Sequence, residues 1–436
     1  MTVGGPVLEL DGFGVAFGRR VILADVTLCL DGPGITAAMG PGGSGKSTLL
    51  RTIAGLNDAQ PIIRVWGAAR YAGAPLGEGP RPYIVVQKAR LLIATVRENL
   101  ASSLPRRSSL TTLEQNAIID RALAAVGADL PRSRLDSQAV ALPPVEQRLL
   151  SLACAWCQDA SLLLIDEITA DLEESDADRV LAALRALARD RTLLFVTHHR
   201  GHARAASAQV VLLAGGRVIE CTPTDEFFTS ARTPEGRTFA ETGGCAVPGP
   251  MAEADMLHEG VTPSPLPPRA VVALRAAPVK GAPTGFFWLA KGKLSGMARP
   301  GLLEPLDVEL GQLQGLGVTD LVTLEEQPTV NAELAERYGV RVHHFPIGDM
   351  RAPTIDDTRE LHARVSAWTG EGRVVGFHCR AGLGRTGTLL VAMSILSGRE
   401  AVSALAEARN INPAWVQSEA QLVFLTELGQ AARQAR

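Results

Sequence analysis

The sequence predicts an α/β protein of two domains. Three observations carry this. A strand, glycine loop and helix follow one another near residues 35–54, and the same succession recurs near residues 373–393. A stretch dense in Pro, Gly and Ala separates the two. The chain has 436 residues, more than one ordinary core holds. The expected division is a first domain over residues 1–232, a linker over 233–285 and a second domain over 286–436. The linker rests on a run such as Pro263-Ser264-Pro265-Leu266-Pro267-Pro268, which lacks any sustained period until about Val271.

Composition narrows the classes. Hydrophobic residues make up 46% and charged residues 20%, which suits compact folding rather than disorder. A formal net charge of −3 argues against a sequence-independent nucleic-acid binder. The N-terminal segment lacks the layout of a signal peptide, and no apolar run is long enough to span a bilayer. A cytoplasmic protein is expected, peripheral at the membrane only through a partner. The six cysteines are scattered. Cys154 and Cys157 form a C-x-x-C pair, which fits half a zinc site, a redox pair, or two small apolar residues on one helix face. No second such pair or His pair accompanies it, and the last reading is favoured.

The first glycine loop carries the first chemistry. Gly40-Pro41-Gly42-Gly43-Ser44-Gly45-Lys46-Ser47-Thr48 matches G-x-x-x-x-G-K-[ST]. It follows the apolar stretch Ile35-Thr36-Ala37-Ala38-Met39 and precedes a helix-like Leu49-Leu50-Arg51-Thr52-Ile53-Ala54. Backbone N–H groups of such a loop converge on phosphate oxygens, and the helix start adds positive potential. Lys46 would neutralise the β- and γ-phosphates of ATP, and Ser47 would ligate Mg²⁺. Leu162-Leu163-Leu164-Ile165 reads as a buried strand ending in Asp166 and Glu167. Asp166 can hold Mg²⁺ through water, and Glu167 can polarise an attacking water. A second apolar strand, residues 192–197, ends in His198, and Tyr83-Ile84-Val85-Val86 ends in Gln87, followed by Thr95-Val96-Arg97-Glu98-Asn99-Leu100.

In this ordered series the chain resembles the ABC transporter ATP-binding cassettes over about residues 7–230. The resemblance implies a P-loop ABC ATPase domain. It implies that Gln87 senses Mg²⁺ and the γ-phosphate, that His198 is the γ-phosphate switch, and that Phe17 stacks on adenine. It also implies a cassette dimer, perhaps with a different ABC subunit, and a separate membrane permease facing the stretch 95–100. The family's signature, Leu-Ser-Gly-Gly-Gln, is altered here to Leu142-Pro143-Pro144-Val145-Glu146. The serine hydroxyl is missing, the prolines carry no N–H, and Glu146 adds a negative charge. The loop Ala170-Asp171-Leu172-Glu173 also departs from the family's dimer contact, which ends in aspartate. The nucleotide-binding half is expected to be intact, and the half that completes a partner's site impaired.

The second loop is His378-Cys379-Arg380-Ala381-Gly382-Leu383-Gly384-Arg385-Thr386-Gly387, between an apolar strand ending at Phe377 and a helix from Thr388. Its C-x₅-R spacing lets successive N–H groups wrap a phosphate oxyanion, with Gly382, Gly384 and Gly387 expected to permit the turns. The helix start and Arg385 favour the thiolate of Cys379, which would attack phosphorus. Arg385 can grip two phosphate oxygens, and Thr386 can hydrogen-bond the departing sulfur. His378 directly precedes the nucleophile and is counted with the site. A general acid is also required; Asp349, flanked by Gly348 and Pro353, is the candidate.

These residues resemble the atypical dual-specificity phosphatases of the protein-tyrosine-phosphatase superfamily over about residues 286–430. The match includes Trp288 and Pro413-Ala414-Trp415-Val416-Gln417-Ser418-Glu419-Ala420-Gln421. It implies a second α/β, cysteine-phosphatase domain without a cofactor, and Gln421 as the residue that positions the hydrolytic water. Arg380 is basic but Leu383 is not, which favours phosphotyrosine or phosphoserine/threonine in a protein over an inositol head group. His343, His344 and His362 read as structural. The rival readings are a regulatory protein whose poorly hydrolysing cassette gates the phosphatase, and a phosphatase for a small phosphorylated molecule or lipid. A chromosome- or translation-type ABC protein is disfavoured, because neither a heptad coiled coil nor a second cassette is present.

Overall fold

The computed structural model describes residues 5–86, 95–105, 107–128, 130–252, 264–275 and 281–434. The chain divides into two compact units, Met1–Asn57 with Ile63–Ala277, and Asp58–Ile62 with Pro278–Arg436.

The first unit has strands β1 (Leu8–Phe17), β2 (Arg20–Leu30), β3 (Gly34–Met39), β4 (Ile63–Tyr71), β5 (Ala74–Pro75), β6 (Tyr83–Val85), β7 (Leu162–Asp166), β8 (Thr192–Val196), β9 (Gln209–Ala214) and β10 (Arg217–Pro223). They form one sheet in the order β5-β4-β1-β2-β10-β9-β3-β8-β7-β6. The run from β9 through β3, β8 and β7 to β6 is parallel, and β1 pairs antiparallel with β2 and β4. Near-continuous apolar strands such as β7 and β8 are what a parallel sheet covered on both faces requires. One face is covered by Val96–Ser102, Thr112–Ala125, Pro144–Cys157 and Glu174–Leu187, which share a core with β3, β7 and β8. Lys46–Ile53 packs on the other face, with β1, β2, β7 and β8.

Cys154 and Cys157 lie buried on the helix Pro144–Cys157, and burial pushes their thiols up to about 11 and about 12. They are packing residues. The stretch expected as a linker holds two helices, Pro234–Thr242 and Pro268–Arg275. Ala270 is fully buried against Ala16, Val21, Ala24 and Trp66, and Arg64 donates to Ala273 O at 2.7 Å. Pro234 and Pro268 open these helices, where a missing N–H costs nothing.

The second unit holds β11 (Phe287–Ala290), β12 (Leu294–Ala298), β13 (Asp320–Thr323), β14 (Arg341–His344) and β15 (Val375–Cys379). The sheet order is β11-β12-β15-β13-β14, with β15 central and parallel to both neighbours. Cys379 therefore ends the middle strand, and Gly384–Leu396, buried along most of its length, starts just after it.

Candidate functional sites

In the first unit, the chemistry collects at the C-terminal ends of β3, β7 and β8, where parallel sheets present their ligand crevices. Gly40 has φ 150°, and a Cβ there would fall 1.9 Å from the Leu213 carbonyl oxygen, so only glycine fits. The loop turns at once into Lys46–Ile53. Lys46 Nζ donates to Gly40 O at 2.8 Å, Pro41 O at 2.9 Å and Ser44 Oγ at 3.3 Å. Burial lowers its pKa, against the pull of Glu167 and Asp166. Ser47 Oγ donates to Asp166 Oδ1 at 3.0 Å, joining two of the three oxygen donors expected for Mg²⁺. Burial raises the Asp166 pKa, the Ser47 hydrogen bond opposing it. A half-buried, hydroxyl-paired carboxylate of this kind suits a hard divalent cation.

Glu167 has φ 48°, a left-handed conformation that is costly for a side-chain-bearing residue and is held by Glu167 N–H donating to Val196 O at 3.0 Å. His198 Nδ1 lies 3.3 Å from Glu167 Oε1, so the structure brings together the residue assigned to the attacking water and the one assigned to the γ-phosphate. Gln87 lies outside the described residues. Thr48 follows Ser47 in the helix, and its carbonyl accepts from Thr52 Oγ1 at 2.7 Å.

A cavity of about 390 Å³ opens over Gly42, Gly43 and Ser44, bounded by Arg20, Val21, Ile22 and the tail residues Val247 and Gly249–Ala252. Val21 N–H donates to Met251 Sδ at 3.4 Å. Phe17 is not among the lining residues; it packs on the core around Lys46–Ile53. The tail wall was missed in the sequence because Val247 to Ala252 carry no motif.

The altered signature begins the helix Pro144–Cys157, with Pro143 as cap and Pro144 as first helical residue. Glu146 is not an isolated charge: Arg134 Nη1 lies 3.4 Å from its Oε2.

In the second unit Cys379 is 3% exposed and Arg385 6%. Arg385 Nη1 donates to Ile347 O at 3.0 Å, and its Nη2 lies 3.0 Å from Asp349 Oδ1. The candidate acid, 76% exposed at its side chain, is thus held at the phosphate loop by the arginine expected to bind phosphate. Thr386 Oγ1 is buried without a hydrogen-bond partner. The three loop glycines serve different ends: Gly384 opens the helix without a positive φ and so supplies no turn. Gly382 has φ 72°, and a Cβ there would sit 2.4 Å from the Met297 carbonyl carbon. Gly387 instead lies within the helix and makes room for Trp415, whose Cβ is 2.6 Å from where its own would be. Trp415, fully buried, donates its Nε1–H to Gly382 O at 3.1 Å and so props the loop from behind.

His378 is fully buried, with Nε2 2.7 Å from Thr323 Oγ1. Burial, with Arg299 and Arg385, pushes it down to about 3, so it is a neutral residue that orients the strand end. Gln421 is also fully buried, and its amide is engaged at both ends. Its Oε1 accepts from Gln417 N–H at 2.9 Å and Ser418 N–H at 3.2 Å, and its Nε2 donates to Arg351 O at 3.3 Å. It ties the acid loop to the 417–418 turn. Both glutamines lie beside the phosphate loop: Gln421 Nε2 is 3.1 Å and the exposed Gln417's Oε1 3.2 Å from the Cβ position of Gly384. The sequence signal was there, two glutamines four apart, but nothing in it said which faces the loop. His343 pairs with Asp320 at 2.8 Å, His344 with Glu325 O at 2.9 Å and His362 with Ser397 Oγ at 3.1 Å.

Comparison with known proteins agrees with both geometries. Residues 23–170 match the family model described as ABC transporter. Residues 295–399 match the one described as Polymorphic toxin system, DSP-PTPase phosphatase. Over 248 residues the chain is 29% identical to the Phosphate import ATP-binding protein PstB 1 of Streptococcus pyogenes serotype M3, covering 54% of this chain and 96% of that protein. Among solved structures, Clostridium perfringens cbiO1, part of the ABC transporter complex cbiONQ, matches with TM-score 0.46 and 20% identity over 52% of this chain and 92% of that one. A bacterial Atm1-family ABC exporter with ATP bound matches with TM-score 0.44 and 22% identity over 52% of this chain and 41% of that one. Among the described residues no helix is long and apolar enough to cross a membrane. The chain therefore joins an ATP-binding cassette of the ABC transporter family, matched over residues 23–170, to a DSP-PTPase-type phosphatase domain, matched over residues 295–399.

Proposed function

We propose that the second unit is a cysteine-dependent phosphatase for phosphotyrosine or phosphoserine/threonine in proteins. We propose further that the first unit binds ATP with Mg²⁺, hydrolyses it slowly and serves a separate membrane permease. The supporting observation for the first half is Cys379 at the end of β15, followed by a loop whose Arg385 also holds Asp349 at 3.0 Å. Cys379 Sγ attacks phosphorus; the S–P bond forms as the bond to the leaving oxygen breaks, and Asp349 gives that oxygen its proton. A phosphate in the loop competes with Asp349 for the Arg385 guanidinium, which frees the carboxyl for that transfer. Water, oriented by Gln417 rather than by Gln421, then displaces the sulfur and gives its proton to the Asp349 carboxylate, and Thr386 Oγ1 donates to the departing thiolate.

In the cassette the triphosphate lies over Gly42, Gly43 and Ser44, and Lys46 exchanges its loop carbonyls for phosphate oxygens. Ser47, Asp166 and Gln87 would hold Mg²⁺, which supplies charge neutralisation when bound. Glu167 orients the attacking water, with His198 beside it. Arg20, Val21 and Met251 wall the far end of the cavity, the part Phe17 was expected to fill. The cassette's likeness to a phosphate import ATP-binding protein favours a permease partner and hence a peripheral place at the membrane. The regulatory reading, in which nucleotide state gates the phosphatase, draws on Pro143 and Pro144, which remove two donors from the signature.

The test is hydrolysis of p-nitrophenyl phosphate by the full chain in excess EDTA. The wild type is expected to turn over, and Cys379→Ser to fall to background. Asp349→Asn is expected to lose ~10²–10⁴-fold on substrates with poor leaving groups. Undiminished turnover by Cys379→Ser overturns the assignment.

A further inference from the structure

Behind the Glu167 and His198 pair lies a cavity of about 130 Å³ lined by Thr169, Asp171, Glu174, His199 and His202, with Glu167 and His198 on its wall. His202 is 94% buried, the complement of its 6% exposure, and its Nε2 has no hydrogen-bond partner. Its Nδ1 lies 3.0 Å from Thr169 Oγ1. With Nδ1–H donating to that oxygen, the ring's free lone pair is on Nε2. A buried nitrogen acceptor without a donor is costly, unless a cation takes the lone pair. Two further groups are in place to share such a cation. One donor atom each of His202, His199 and Glu174 lie within 4.8 Å of one another, and Glu174 Oε2 is 3.9 Å from His202 Nε2.

We infer that His199, His202 and Glu174 form a transition-metal site, suited to Zn²⁺, set against the hydrolytic end of the cassette. Two imidazoles and a carboxylate with an open position make a donor set that zinc favours. Tetrahedral ligands at ~2.0–2.1 Å from zinc stand roughly 3.4 Å apart, so the donors must draw together by about 1 Å. Glu174 and His199 are exposed and make that movement, His199 by turning out of its stack on the His202 ring, whose centroid is 3.8 Å away, while the buried His202 is fixed. The Thr169 hydroxyl supplies the outer hydrogen bond that sets the His202 tautomer. His199 is the ligand that must change most. Its Nδ1 now caps the helix Arg200–Ala206 by accepting from His202 N–H at 3.2 Å. Coordination through Nε2 moves the ring proton to Nδ1 and releases that bond. Occupancy places positive charge beside Glu167 and slows ATP turnover; this consequence rests on the proposed role of Glu167, whereas the site itself does not.

The experiment is titration of the full chain with Zn²⁺ alone, followed by calorimetry and by metal analysis after gel filtration. All proteins compared carry Cys379→Ser, since a thiolate also binds zinc. The parent is expected to hold one more equivalent of Zn²⁺ than His202→Gln or Glu174→Gln, with at least tenfold weaker binding in each variant. Glu174→Gln alters an exposed side chain and keeps the test decisive should His202→Gln unfold. Equal stoichiometry and affinity in parent and Glu174→Gln overturn the site. Zinc-sensitive ATP turnover in the parent, insensitive in Glu174→Gln, is the expected second readout. Intact zinc binding with unchanged turnover overturns the coupling and leaves the site standing.

Discussion

Gln417 and Gln421 show how a residue role turns on which hydrogen bonds are already taken. Both fit a water-positioning role by spacing, and the sequence resemblance placed it on Gln421. In the structure the Gln421 amide oxygen accepts from two backbone N–H groups and its Nε2 gives one of its two hydrogens to the Arg351 carbonyl, whereas Gln417 is the exposed one of the pair. Gln421→Ala leaves those groups unpaired in a buried place, and the expected cost is about 1–3 kcal/mol of stability. Gln417→Ala is expected to leave the unfolding midpoint of the C-terminal unit within error. It should instead slow release of the phosphoenzyme, so that a burst of nitrophenol precedes a lowered steady state. Stopped-flow hydrolysis and thermal unfolding of both variants separate the roles. A burst in Gln421→Ala and none in Gln417→Ala would return the water to Gln421. His378 follows the same logic, since a ring pushed down to about 3 and fully buried orients the strand end and transfers no proton near neutral pH.

At the scale of elements, what carried a repeating pattern was legible and what relied on distant partners was not. β3, β7, β8 and β15 are apolar runs ending in chemistry-bearing residues, and each appears where the sequence reading put it. The helices Pro234–Thr242 and Pro268–Arg275 were hidden because each is short and opens on proline. The second is fixed by Trp66 and Ala16, far away in sequence. Asp320, at the start of β13, is another such case. It has no side-chain exposure, yet it collects Arg373, Arg341, His343 and the Thr319 hydroxyl. Burial alone would raise its pKa; the Arg373, His343 and Thr319 hydrogen bonds hold it down at about 2. Its folded value thus lies below the unfolded value of ~3.9, so its stabilisation is complete above about pH 4 and is lost as pH falls toward 2. The expected share is on the order of 2 kcal/mol. Hydrogen exchange of β13 and β14 amides between pH 5 and pH 2 measures it, after correction for intrinsic exchange rates. Asp320→Asn is expected to be less stable at pH 6 and to lack this part of the acid loss. An identical pH slope in the variant would sink the linkage.

By the resemblance to ABC cassettes, the chain's ATP chemistry would depend on a surface that belongs to a second copy or to another cassette. In the family the chain resembles, each ATP lies between one cassette's P-loop and the other's signature. In a homodimer both sites would face Pro143, Pro144, Val145 and Glu146. The structure explains why the sequence tolerates this change. Pro143 and Pro144 occupy the cap and first position of a helix, where proline is at home, so the fold is kept while two N–H donors vanish. It also softens one expectation, because Arg134 stands 3.4 Å from Glu146 and offsets part of the carboxylate's repulsion. The missing donors and hydroxyl then dominate. Loss of one preorganised donor to a developing phosphate charge costs ~10²–10³ in rate. The isolated chain is therefore expected to bind ATP through Lys46, with Lys46→Ala losing most of the affinity by calorimetry, yet to hydrolyse it slowly. A partner cassette with an intact signature should restore turnover at the site built from Lys46, Asp166, Glu167 and His198. Steady-state ATPase of the isolated chain beside a Glu167→Gln control decides it. Several turnovers per second in the wild type, lost in the control, would show that Pro143 and Pro144 leave the composite site competent.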